Sequence, residues 1–316
     1  MLNRRYIRVK VFQALYSYYQ SDSSAVEQVE KGMINSIEKI YDLYLYIIQL
    51  LLEIKKEANH KIELRKGKRV PTEEDLNPNM KFVNNLVLQQ FEDNVIFQRL
   101  CSNRKIAWHP DEDLPSKLFE KLILSEDYQL YMQTRDNKFG EDKDFAAKII
   151  SKFINEDDGL EFHIEEKSIY WLDDLSMVNV NLIKTIKDLK STNTENDEIL
   201  TPLYKDREDD LNFIKKLFRK TVANNVELEQ HIKDTTKNWE LDRIALLDMI
   251  LMKMAISEMI HFSSIPVKVS MNEYIELSKY YSTPKSKIFI NGVLDKLSAQ
   301  LRREGVIVKK GRGLVE

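Results

Sequence analysis

The residues best suited to chemistry are cations at the head of the chain. Arg4, Arg5, Arg8 and Lys10 precede or interleave an apolar repeat, Ile7, Val11, Leu15 and Tyr18, with no acidic residue among them. The repeat has helical spacing and predicts a helix over residues 3–20. A helix N-terminus favours anions, because the macrodipole is positive there. A cationic first turn breaks that rule, and an anionic partner would resolve the conflict; a solvated basic end is the alternative. Guanidinium groups grip phosphate through two hydrogen bonds and can stack on bases, so a phosphate-bearing partner is one that would fit. Tyr6 has two readings, a stacking platform or a core residue. A second cluster, Lys61, Arg65, Lys66, Lys68 and Arg69, lies in a charged stretch with Pro71 and Pro78. It reads as a solvated loop or as an auxiliary phosphate contact.

Other chemistry lacks its patterns. The Gly-Arg-Gly string at 311–313 has neither the strand nor the following helix that a phosphate loop needs. There is no HExxH and no CxxC, and His163-Ile164-Glu165 is not followed by the paired cysteines of a zinc deaminase. Neighbouring acids such as Asp157-Asp158 and Asp173-Asp174 diverge on a helix and read as solvated surface. No cofactor, metal site or catalytic residue is expected, and the chain does not read as an enzyme. A single cysteine, Cys101, excludes an internal disulfide framework and fits a reducing cytoplasm. The basic N-terminus has no apolar stretch of the signal-peptide kind behind it, and no apolar run is long enough to span a membrane. The net charge of −3 means that a nucleic-acid site must be a local patch.

The elements that would position these cations are helices throughout. Only 8 Gly and 7 Pro interrupt 316 residues, which favours an all-α fold. A long amphipathic run covers about 25–58, and helical patterns follow at about 80–104, 115–135, 142–155 and 161–190. Residues 191–207 read as a polar linker. Leu211 to Val222 and Val226 to Ile232 form two stripes with a break near Asn224-Asn225. The run from about Leu241 to His261 is apolar on nearly all sides, so other helices must enclose it. Ile265-Pro266 opens the next helix, with Val269, Ile275, Leu277 and Tyr280/Tyr281 on one side. A loop, Ser282-Thr283-Pro284-Lys285, leads to a last helix, with Ser286 as N-cap and Phe289, Ile290, Val293, Leu294 and Leu297 as its apolar face. Gly292 inside it suggests a close helix crossing.

The stretch IPVKVSMNEYIELSKYYSTPKSKIFINGVLDKL resembles the C-terminal signature of the bacterial transcription antitermination factor NusB family. WELDRIALLDMILMKMAISEM is similar to that family's central helix, and RRYIRVKVFQALYSY to its first helix. The resemblance covers roughly 1–20 and 207–304. It implies a NusB-like helical bundle, two packed three-helix bundles, with residues 21–206 as an inserted helical subdomain; residues 305–316, with Lys309, Lys310 and Arg312 between glycines, read as a mobile basic tail. It also implies a non-catalytic factor that binds a single-stranded boxA-like RNA together with NusE, a ribosomal protein, and links it to the RNA polymerase antitermination complex. The RNA contacts would be Arg4, Arg5, Arg8 and Lys10 with Lys285, Ser286 and Lys287, and the NusE contacts Tyr16 and Asp248. An ion pair inside the bundle, for example with Lys253, is the alternative for Asp248. Val9 and Lys285 stand where relatives often carry an acid. Two rivals remain: a scaffold whose long helix pairs with a partner or a second copy as a homodimer, and a regulatory domain related to those of ribosomal RNA methyltransferases.

Overall fold

The computed structural model describes residues 1–21, 25–109, 113–171, 173–236 and 244–314. Along the chain run α1 (Arg4–Gln20), α2 (Val26–Lys66), α3 (Glu73–Leu76), α4 (Leu86–Asp93), α5 (Val95–Arg104), α6 (Leu114–Ile123), α7 (Glu126–Tyr131), α8 (Phe139–Lys148), α9 (Asp158–Lys167), α10 (Leu175–Asp188), α11 (Arg207–Ala223), α12 (Asn225–Thr235), α13 (Leu246–His261), α14 (Val267–Tyr281) and α15 (Ser286–Arg303). A π-helical turn, Ile149–Ile154, extends α8, and a 3-10 turn spans Gly311–Leu314. No strand occurs among the described residues, and the protein is all-α. Among these residues no helix is long and apolar enough to cross a membrane.

Contacts divide the chain into two compact units: a terminal unit of residues 2–37 and 204–316, and a middle unit of residues 38–203 with Met1. The division falls inside α2, beyond the boundary at 20 that the sequence suggests. The reason is packing: Met33 and Ile37 are buried, and Glu30 accepts two hydrogen bonds from the Arg219 guanidinium on α11.

In the terminal unit α13 is the centre. Ile250, Leu251, Met252, Met254, Ala255, Ile256 and Met259 are all buried, because α1, α11, α12, α14 and α15 each pack against this helix. Its expected beginning at 241–243 lies outside the described residues, and the helix itself starts at Leu246. On α1 the expected stripe holds, with Ile7, Val11 and Leu15 fully buried. On α14 it does not. Val267, Tyr274 and Leu277 are the core positions, while Val269 and Tyr280 face solvent. A Cβ built on Gly292 meets nothing within 4 Å, so no close helix crossing explains that glycine. The tail expected to be mobile is packed instead. Ile307 is buried, the Lys310 amide donates to the Ser263 carbonyl, and Lys309 Nζ donates to the Phe262 carbonyl at 2.9 Å.

In the middle unit α2 is enclosed nearly all round, with Ile40, Leu43, Tyr44, Leu45, Ile47, Ile48, Leu50 and Leu51 almost wholly buried. The helix runs on through Lys66, past its expected end, so Lys61, Arg65 and Lys66 stand on its last turns and not in a loop. The segment expected to be a linker is tied down: Asn94 Nδ2 donates to the carbonyls of Glu195 and Asp197 at 3.1 and 2.9 Å.

Candidate nucleic-acid interface

The helix α1 opens with Asn3, whose side chain accepts from the Tyr6 amide and satisfies one of the free N–H groups of the first turn. From that start the basic run winds around the helix, and its members meet different surroundings. Arg4 and Arg5 point outward, with side chains 36% and 48% exposed. Arg4 pairs with Asp209, and its Nη1 lies 3.5 Å from Asp210 without a hydrogen-bond partner. Arg5 forms a two-pronged pair with Glu273, at 3.0 and 2.9 Å.

Arg8, expected among the RNA contacts, turns inward. Its Nε and Nη2 donate to the Glu258 carboxylate on α13 at 2.8 and 2.7 Å. Ser270 and Tyr274 on α14 donate to the same carboxylate at 2.7 and 2.9 Å, so a fully buried acid is met by four hydrogen bonds. Burial alone would lower the Arg8 pKa; the hydrogen bonds and charge of Glu258 outweigh it and raise the pKa. The Tyr274 phenol is held well above its usual range, first by burial and then by Glu258. Lys10 is buried too. Neither Arg8 nor Lys10 offers its charge to the surface.

What Arg4 and Arg5 do line is a groove of about 1050 Å³. Its floor is apolar: Phe213 of α11, Phe262, Ile265, Pro266 and Val269. The Phe213 and Phe262 rings sit 4.9 Å apart, and the Arg4 guanidinium lies 4.4 Å from the Phe213 centroid. Lys216 Nζ stands 4.8 Å over Phe262, and Arg312 lines the groove from the tail. Lys216 and Arg312 are exposed, and neither has a carboxylate partner among the described residues. Sequence reasoning missed both. Lys216 is one lysine among several on an amphipathic helix, and Arg312 sits in a stretch that reads as mobile. Gly313 is the signal that could have pointed to the tail: a Cβ there would collide with the Ser263 carbonyl, so the chain needs glycine to lie so close.

The second expected cluster splits in the same way. Ser286 is not an N-cap. It is the first residue of α15, buried, and its hydroxyl donates to Asp248 Oδ2 at 2.7 Å. Ser282 donates to the other oxygen of Asp248. Asp248 is therefore buried and occupied by the loop, while Lys253 pairs with Glu229 at 2.8 Å. Lys285 and Lys287 remain exposed. Asp248 and Glu258 lie about 15 Å apart along α13, so the loop and Arg8 are anchored at different levels of the bundle. Glu276 on α14 joins the two regions electrostatically: Lys279 lowers its pKa most, and Arg5 and Lys287 both contribute. Arg5 from the first helix and Lys287 from the last thus both act on Glu276, whereas Arg8 is spent on Glu258. Tyr16 is 40% exposed on α1.

Residues 178–299 match the NusB family. The chain is 44% identical over 104 residues to the transcription antitermination protein NusB of Chloroherpeton thalassium, covering 33% of this chain and 49% of the relative. It is 43% identical over 103 residues to the protein of that name from Salinibacter ruber, covering 33% and 64%, and 36% identical over 91 residues to that from Natranaerobius thermophilus, covering 29% and 66%. The match thus spans between about half and two thirds of the length of these relatives. No solved structure matches the chain. The matched segment begins at residue 178, on α10 of the middle unit, and takes in α11 to α14 and most of α15; α1 and Arg312, which also line the groove, lie outside it. The chain therefore carries a NusB family domain, matched over residues 178–299.

Proposed function

We propose that the protein is a non-catalytic transcription antitermination factor that binds single-stranded boxA-like RNA. In this reading it acts together with NusE and links the RNA to the RNA polymerase antitermination complex. The observation that carries it is the groove in which Arg4, Arg5, Lys216 and Arg312 rim a floor of Phe213 and Phe262. Single-stranded RNA is held by cations on its phosphates and by apolar or aromatic surface under its bases; the groove offers cations over an apolar floor, in which Phe213 and Phe262 lie buried beneath Arg4 and Lys216. Lys285 and Lys287 extend the cationic face. Arg8 and Ser286 serve it indirectly, by fixing α1 and the 282–286 loop, and Lys10 is buried. Tyr16, exposed on α1, is the proposed NusE contact, and Asp248 shapes the 282–286 loop.

The test is RNA binding across a salt series, with and without NusE. About four neutralised phosphates on single-stranded RNA predict a log–log slope of about −3. The double variant Lys216→Ala, Arg312→Ala should weaken binding and flatten the slope by about 1. A response insensitive to salt in the parent protein would overturn the reading.

A further inference from the structure

The middle unit holds its own pocket, of about 530 Å³, at the site of the second basic cluster. It forms because α2 runs on to Lys66 and brings Lys61, Ile62 and Arg65 beside α6 and α7. Phe82, Phe119 and Tyr128 line it, with ring centroids 5.7–6.2 Å apart. Two lysines near it are already neutralised, Lys61 by Glu120 at 2.9 Å and Lys68 by Asp75 at 3.0 Å. Two guanidinium groups are not. Arg65 and Arg135 both line the pocket, both are exposed, and neither has a carboxylate partner among the described residues. Arg135 donates only to the Asn77 carbonyl, at 3.2 Å. Burial pushes the Tyr128 phenol up to about 12, and the Arg65 charge acts the other way. The Tyr128 ring is half-buried, and its hydroxyl makes no hydrogen bond to the described residues.

An aromatic wall, a free phenol donor and two unpaired guanidinium groups at one mouth complement a ligand with a flat ring and a phosphate. The hydrophobic surface alone would suit many partners; Glu74 also lines the pocket, but the two arginines outnumber it, and the remaining positive charge favours an anion. We propose that this pocket is a second RNA subsite, in which one nucleotide of a single strand packs its base on Tyr128 while Arg65 and Arg135 hold the backbone phosphates. The proposal rests on the RNA-binding reading given above and extends the footprint to a unit built mainly of residues outside the matched family segment.

The experiment uses the full chain and fluorescent single-stranded RNA of increasing length, in a salt series. The double variant Arg65→Ala, Arg135→Ala changes two exposed side chains, and circular dichroism checks that it folds. It should bind long RNA about tenfold more weakly, with a salt slope shallower by about 1, while a short RNA that fills only the terminal-unit groove binds unchanged. RNA carrying 4-thiouridine should cross-link to the peptide that contains Tyr128. If the double variant binds long RNA as the parent does, with the same slope and no cross-link in the middle unit, the subsite is refuted while the proposed function stands. If the parent binds no RNA at all, both are refuted.

Discussion

Arg8 and Glu258 join α1 to α13 through two hydrogen bonds of 2.8 and 2.7 Å, with side chains only 3% and 0% exposed. A buried pair of this kind stabilises little against an apolar substitute, because both charges have lost their hydration. Removing one partner is different, since it strands the other charge. Arg8→Ala should cost about 3–5 kcal/mol in urea unfolding. Arg5→Ala, which opens a pair at the surface, should cost no more than about 1 kcal/mol. The opposite ranking holds for RNA: Arg5→Ala should lower affinity in a folded protein. Equal stability losses for the two variants would contradict the burial described for Arg8.

Two glycines near the C-terminus should respond with opposite sign. Gly292 lies in α15, exposed, with open space where a methyl would go. Gly292→Ala should therefore stabilise by up to about 1 kcal/mol, the helix-propensity difference. Gly313→Ala puts a methyl into the Ser263 carbonyl and should lift the tail from its seat. Amide hydrogen exchange at residues 307–313 should then accelerate, and RNA affinity should fall as Arg312 leaves the groove. Unchanged exchange in Gly313→Ala would count against the packed tail.

Lys309 makes stability depend on alkaline pH. Burial, with a smaller push from Arg302, pulls its pKa from 10.5 down to about 8, although Glu258 acts the other way. The unfolded lysine keeps its proton longer than the folded one. Raising the pH from 8 toward 10 therefore favours the fold, and below 8 the penalty is constant. Above about 10 the effect is opposed, because buried Tyr44 and Tyr274 resist ionisation that the unfolded chain accepts. Thermal melts of the parent between pH 7 and 10 should rise relative to Lys309→Met, which has no charge to shed. Parallel curves for the two proteins would remove Lys309 as the cause.

Much of the architecture is legible without coordinates. The stripe Ile7, Val11, Leu15 announces α1, and an apolar run with no polar face announces α13 as an enclosed centre. Periodicity speaks for a helix and for the mean direction of its core. It says less about positions on the flank of a stripe: Val269 and Tyr280 face solvent and Tyr274 is buried, because neighbouring helices, not the spacing, decide where a flank position ends up. The candidate site shows the same limit. Arg4, Arg5 and Arg8 are identical side chains within five positions, and one of them is buried because Glu258, far along the chain, waits at its end of α13.

By itself the sequence determined the all-helical class, the central apolar helix and the presence of cations at both ends of the chain, since each follows from local spacing and composition. The tertiary structure alone decided which cations remain available. Whether a polar group faces water or a buried carboxylate depends on residues distant in the chain, 250 positions for Arg8 and 38 for Ser286, while Lys216 and Arg312 stay exposed. The same holds for the tail, which packs against Ser263 because Gly313 permits a contact that no local pattern encodes.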